Sequence, residues 1–283
     1  MVELLKGKAV VVDATVGAGG HAAALLGVGV GSVLGIDRDE SAVGEAARRL
    51  APFGARFRAV AGRFSQLADV VRRVGVEEVG GVLFDLGLSS MQVDRPERGF
   101  SYRISGPLDM RMGQGERSAF DVVNRYSESE LARVIFEYGE ERHARRIARA
   151  ILRARQRAPL QDTRELGAVV AGSVPRRRGG AHPARRTFQA IRIEVNQELE
   201  ELAASLPQAA GLLEAGGRLV VISYHSLEDR IVKRFVATSP GLTALTKKPI
   251  RPSSSEVASN PRGRSARLRA AERPGRVERE EAA

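Results

Sequence analysis

A chain of 283 residues, 43% hydrophobic and 28% charged, can bury one substantial core and a smaller satellite. No run approaches the roughly 18 apolar residues of a membrane span, and residues 1–8 lack the pattern of a secretion signal, so a cytoplasmic protein without membrane contact is expected. Disulfides and thiolate chemistry are excluded by the absence of cysteine, and with only four histidines no metal site is expected.

The net charge of +11 points to a polyanionic partner, because neutralising phosphates releases counterions. An arginine-rich composition would spread its positives evenly. Here they gather in residues 142–157, 176–186 and 251–279, as a binding footprint would require.

In chain order, residues 9–12 form a short apolar run ending at Asp13, followed by a glycine turn and a helical pattern over 21–26. Residues 32–36 end at Asp37 and lead to a helix over 41–50. Further strands are predicted over 57–60 and over 79–84, the latter ending at Asp85. Continuous apolar strands alternating with helices imply an α/β fold with a parallel sheet covered on both faces. Ligands bind such sheets at the carboxyl ends of the strands, where Asp13, Asp37 and Asp85 all fall.

After Asp85 the rhythm breaks, and the next buried strand is predicted only at 217–224. Ser127 and Glu130 match a capping box opening one helix, a second spans 141–157, and Asp162 caps a third that closes at Gly172. These predict a small helical domain inserted over 104–184, with the α/β domain assembled from 1–103 and 185–283. A helix over 185–202 places Phe188, Ile191, Val195, Leu199 and Leu202 on one face and Gln189, Arg192 and Asn196 on another. That polar stripe is a candidate substrate surface, although its spacing alone favours a solvated face. Residues 253–255 read as a loop and 266–271 as a final edge strand.

The turn Asp13-Ala14-Thr15-Val16-Gly17-Ala18-Gly19-Gly20-His21 lets a backbone approach a ligand closely. Its glycines also fit the dinucleotide fingerprint, with Asp37 where a ribose-binding carboxylate belongs, so an NAD-dependent oxidoreductase stays open. Asp13, Phe64 and Asp85 favour S-adenosylmethionine: a carboxylate before the glycines suits an ammonium and repels a pyrophosphate, and the Phe64 ring suits adenine.

This turn, together with Asp85-Leu86-Gly87-Leu88-Ser89-Ser90, Arg98-Gly99-Phe100-Ser101, Gly106-Pro107-Leu108-Asp109-Met110-Arg111-Met112, Thr187-Phe188-Gln189-Ala190-Ile191-Arg192 and Ser223-Tyr224-His225-Ser226-Leu227-Glu228-Asp229-Arg230, resembles the bacterial RsmH (MraW) family. The resemblance continues to Asn260-Pro261-Arg262-Gly263-Arg264-Ser265 and so covers almost the whole chain. It implies a Rossmann-like class I S-adenosylmethionine methyltransferase sheet. It also implies methylation of the N4 amino group of a cytidine in the decoding region of 16S ribosomal RNA, within the small ribosomal subunit. By the same resemblance Gly19, Gly20, His21, Asp37, Phe64, Asp85 and Gln92 contact the cofactor. One departure concerns a His-x-Pro-Val segment that precedes the family's first strand. Here the chain starts only a few residues upstream of that strand, so either the start codon is placed late or the segment is missing, and a missing segment is expected to weaken cofactor affinity. Another is Asp85-Leu86-Gly87-Leu88, where many amino-methylating enzymes carry Asn/Asp-Pro-Pro-aromatic.

For the chemistry, Asp85 is the first candidate acceptor of an amino proton, Asp109 the second, and His225 a final proton sink. Extruding a stacked base calls for planar partners, for which Phe100, Tyr102 and Tyr224 are available. Arg176, Arg177 and Arg178 form a basic loop suited to phosphate. A non-catalytic RNA-binding assembly factor on the same fold remains as a further alternative, and the oligomeric state, a homodimer included, stays open.

Overall fold

The computed structural model describes residues 1–113, 115–175 and 182–275. It divides into two compact units, Met1–Gly87 with Leu199–Ala283, and Leu88–Glu198. The second unit is wider than residues 104–184, because the helix Ala184–Asn196 buries Ala184, Phe188 and Ile191 in that unit's core.

The first unit is built on a seven-stranded sheet. Its strands are β1 (Val10–Asp13), β2 (Ser32–Asp37), β3 (Phe57–Ala61), β4 (Val79–Asp85), β5 (Leu213–Ser223), β6 (Thr243–Ala244) and β7 (Arg267–Glu272). They run in the order β3-β2-β1-β4-β5-β7-β6, with β1 to β5 parallel and β7 antiparallel to both neighbours. The parallel sheet that the strand pattern predicts is present, with the antiparallel β7 added beside β5. The central strands are apolar on both faces because both are covered. Val12, Val82, Phe84 and Val221 pack into one cluster, and Val11, Leu83 and Val220 into another with Leu25, Leu26 and Leu50.

Two sequence expectations require correction here. Residues 266–271 do form a strand, but β7 lies inside the sheet, since the two residues of β6 pair along its outer side. So short a strand leaves almost no periodicity in sequence. Residues 253–255 belong to a helix N-terminus instead of a loop, the Ser253 side chain accepting from the Glu256 backbone N–H at the start of Ser254–Ser259.

The helix expected over 185–202 is two helices, Ala184–Asn196 and Glu198–Leu212, separated by Gln197 in the left-handed conformation at φ 53°. The apolar stripe passes through this break without a change of period, so periodicity alone does not reveal it.

In the second unit each predicted cap is present. Ser127 and Glu130 form the capping box of Glu128–Glu137, and Asp162 accepts from the backbone N–H groups of Arg164 and Glu165 to open Thr163–Ser173. The helix Ala144–Arg155 turns Ile147 and Ile151 inward against Leu131 and Ile135. All four are fully buried, each worth about 1.5–3 kcal/mol of transfer free energy. Among the described residues no helix is long and apolar enough to cross a membrane.

Candidate functional site

Three parallel strands deliver carboxylates to one end of the first unit: Asp13 from β1, Asp37 from β2 and Asp85 from β4. The glycine turn after β1 is folded onto these strand ends by its own backbone. Val16 N–H donates to the Ile36 carbonyl at 2.9 Å, and Gly17 N–H to Asp37 Oδ2 at 2.9 Å. Close approach is possible because β2 carries Gly35 at that level. A Cβ there would stand 2.6 Å from Val16 Cγ2.

Gly19 occupies φ 77°, where its own Cβ would meet Leu50 Cδ1 at 2.9 Å, and it serves as N-cap of the helix Gly20–Gly27. Glycine is required there twice over, by conformation and by space.

Asp85 sits at the centre of a small polar network. Tyr224 donates its hydroxyl to Asp85 Oδ1 at 2.9 Å, and His21 Nε2 lies 2.9 Å from Asp85 Oδ2. The Asp85 backbone N–H donates to Thr15 Oγ1 at 2.6 Å, tying the end of β4 to the glycine turn. The hydrogen bond to Asp85 raises the His21 pKa against the opposing effect of burial, favouring an imidazolium–carboxylate pair. Burial, reinforced by the Asp85 charge, raises the Tyr224 pKa, so its hydroxyl keeps its proton and remains a donor.

Asp13 is fully buried. Its Oδ1 accepts from Thr15 N–H at 3.3 Å, while Oδ2 has no partner among the described residues. Burial pushes its carboxyl up to about 7 despite the nearby His21. Asp37 is also raised by burial, although each of its oxygens accepts one backbone N–H, from Asp39 to Oδ1 and from Gly17 to Oδ2. A carboxylate has about four lone-pair sites, so acceptor capacity remains for further hydroxyls.

S-Adenosylmethionine fits this set. Nothing lies within 4 Å of a Cβ built on Gly20, which leaves room along the turn. Asp37 retains acceptor sites for a ribose diol, and the half-buried Phe64, held edge-on to Phe84 at 6.0 Å between ring centroids, offers adenine an apolar neighbour.

Within the second unit Asp109 is engaged by Arg111. Its Oδ1 accepts from Arg111 Nε at 2.8 Å and from its backbone N–H at 3.0 Å, and Oδ2 accepts from Nη2 at 2.9 Å. Partial burial opposes the Asp109 charge, but the Arg111 hydrogen bonds outweigh it and hold the carboxyl below the usual range.

Gln92 closes a capping box with Ser89. Phe100 is buried in the second unit's core, and Tyr102 stacks on His182 with centroids 4.7 Å apart. The stripe of Gln189, Arg192 and Asn196 is an internal framework. Gln189 donates to the Tyr138 carbonyl, Arg192 forms a two-pronged pair with Glu198, and the buried Asn196 bonds Met110 and Met112 backbone atoms. His225 caps the helix Ser226–Thr238, its ring held beside Glu228. Arg176, Arg177 and Arg178 lie outside the described residues.

The structure thus brings His21, Asp85 and Tyr224 together beside Asp13 and Asp37, and it shows two residues that the sequence reading passed over. Thr15 anchors the end of β4, and Arg111 fixes Asp109. The first stands within a quoted motif, and the second lies two positions from its partner, so each was visible as a neighbour without a role.

The model of the MraW methylase family matches residues 1–274. The chain belongs to this family. Similar proteins include the ribosomal RNA small subunit methyltransferase H of Methylobacterium sp. (strain 4-46), 50% identical with 96% of this chain and 87% of that protein covered. The protein of the same name from Deinococcus radiodurans is 51% identical, covering 93% and 83% respectively. Membership in a methylase family, on a sheet with β7 antiparallel beside β5, removes the oxidoreductase reading.

Proposed function

We propose that this chain transfers a methyl group from S-adenosylmethionine to the N4 amino group of a cytidine in the decoding region of 16S ribosomal RNA, in the setting of the small ribosomal subunit. Support comes from the names of relatives about half identical over nearly the full chain, and from one structural observation. Asp85 is presented at the end of β4 with both oxygens oriented, by Tyr224 on one side and His21 on the other, beside the glycine turn.

The cofactor supplies a methyl group already activated by sulfonium charge. Gly19, Gly20, His21, Asp37 and Phe64 would hold it, with the Asp13 carboxyl available to its ammonium. A cytidine amino lone pair is delocalised into the ring, so attack requires that nitrogen to become more tetrahedral. Asp85 favours this change by accepting one amino hydrogen, and Tyr224 and His21 keep the carboxylate aimed without reorganisation during the reaction. As the nitrogen gains the methyl it releases a proton, which Asp85 is placed to receive. Asp109, carried by the second unit and locked by Arg111, is assigned to holding the substrate. His225 caps its helix and Phe100 lies in the second unit's core, so this reading assigns the proton transfer to Asp85.

Mass spectrometry of nucleosides from small-subunit RNA, with and without the protein and labelled cofactor, tests this reading. N4-methylcytidine carrying the label is the expected product. A label on another base would change the substrate assignment, and no transfer at all would leave a non-catalytic assembly factor.

A further inference from the structure

The arginine run at residues 142–157 becomes one face of a helix. Arg145, Arg146, Arg149 and Arg153 lie on Ala144–Arg155 at steps of one, three and four, with Arg142 and Arg157 flanking the helix, and all six are exposed. The opposite side, Ala144, Ile147, Ala148 and Ile151, is buried, so the orientation of the row is fixed by the core. Side chains three and four residues apart are neighbours on a helix surface, and like charges so spaced oppose helix formation. Retaining the row therefore works against the helix unless something anionic covers it.

The row is also largely uncompensated. Several arginines elsewhere in the unit have carboxylate partners, among them Arg117 with Glu194, Arg125 with Asp121 and Arg133 with Glu137. Along the row only Arg149 has one among the described residues, Glu128 at 3.8 Å, and both of those side chains are about half exposed. The preceding helix, Glu128–Glu137, contributes Phe136, which is 61% exposed although Leu131, Val134 and Ile135 around it in sequence are buried.

We propose that this arginine row is a docking surface for the phosphate backbone of ribosomal RNA, with Phe136 offering its ring to an unstacked base. The proposal rests on the reading of the chain as a ribosomal RNA methyltransferase and adds the surface that holds the RNA. Guanidinium groups grip phosphate oxygens in pairs, and an exposed ring gives a base a sequence-tolerant platform. The combination fits a nucleic acid better than an acidic protein or an anionic membrane, neither of which presents planar bases.

The test compares wild type with Arg146→Ala/Arg149→Ala/Arg153→Ala, and with a control, Arg48→Ala/Arg72→Ala, in which each arginine already has a carboxylate partner. Calorimetry with S-adenosylmethionine first shows that the triple variant is folded. Affinity for a small-subunit ribosomal RNA fragment is then measured across salt concentrations. The expected result is a Kd at least about tenfold higher and a log-log salt slope shallower by about 2, as for three lost contacts to single-stranded RNA, with the control unchanged. In steady state KM for the RNA rises while kcat holds.

Unchanged affinity and slope would overturn the proposal. So would normal binding of naked RNA combined with lost binding of intact subunits, which would assign the row to a ribosomal protein. Loss confined to anionic vesicles would assign it to a membrane surface. Failure of the wild type to methylate the RNA would count against the function reading alone, because the binding comparison judges the surface separately.

Discussion

The Tyr224 hydroxyl and the Asp85 carboxylate are joined by a 2.9 Å hydrogen bond across adjacent parallel strands, the tyrosine following β5 and the aspartate closing β4. A residue that a sequence reading assigns to base stacking thus has its polar end engaged with the carboxylate that is proposed to react. Tyr224→Phe separates the two roles, because the ring remains and only the donor is lost. A hydrogen bond to a charged group is worth about 1.5–3 kcal/mol, so the single-turnover rate should fall about tenfold or more. Wild-type rates in this variant would return Tyr224 to stacking.

Asp37 both anchors the glycine turn through Gly17 and is proposed to hold the ribose. Asp37→Ala leaves partners on both sides unpaired, a cost of about 1–3 kcal/mol, and should raise the Kd for S-adenosylmethionine roughly 5- to 150-fold. Asp37→Asn retains one acceptor oxygen and should lose less. Calorimetric titration decides, and unchanged affinity in the alanine variant would remove Asp37 from the site.

Gly19→Ala should cost about 1–2 kcal/mol through its left-handed backbone alone, plus the close contact with Leu50. Only the contact is relieved by a second substitution. A double-mutant cycle with Leu50→Ala should therefore show coupling of the order of 0.5 kcal/mol or more in denaturant unfolding. Additive losses would mean that the clash is absorbed elsewhere.

Asp13 gives stability a pH dependence with a definite sign. Its carboxyl is raised by burial to about 7 in the folded protein and ionises near its ordinary value when unfolded. Its contribution is fully present below the unfolded pKa of roughly 4 and is lost as pH rises towards 7. Unfolding measured at pH 5 and pH 8 should show a smaller decline for Asp13→Asn than for wild type. An identical decline in both would mean that Asp13 is charged in the folded protein. S-Adenosylmethionine should reduce the wild-type decline if its ammonium favours the Asp13 carboxylate.

Much of the fold is legible along the chain because it rests on local physics. Apolar runs ending in Asp13, Asp37 and Asp85 mark buried parallel strands, and Ser127 and Asp162 mark helix starts by satisfying N–H groups within three residues. The cofactor turn is legible for the same reason, since its glycines answer a backbone requirement met within the turn itself.

What the sequence by itself determined was the kind of sheet, the strand ends that carry carboxylates and the positions of the caps. Only the tertiary structure decided which side chains meet. Tyr224 reaches Asp85 from 139 positions away, and Asn196 reaches Met112 from 84. The Gln189, Arg192 and Asn196 stripe looks like a solvated face in one dimension and is an internal framework in three, whereas the arginine row of Ala144–Arg155 stays exposed. Spacing along a helix reports which residues share a face. It carries no information about what that face is packed against, because burial is a property of the neighbours that folding brings in.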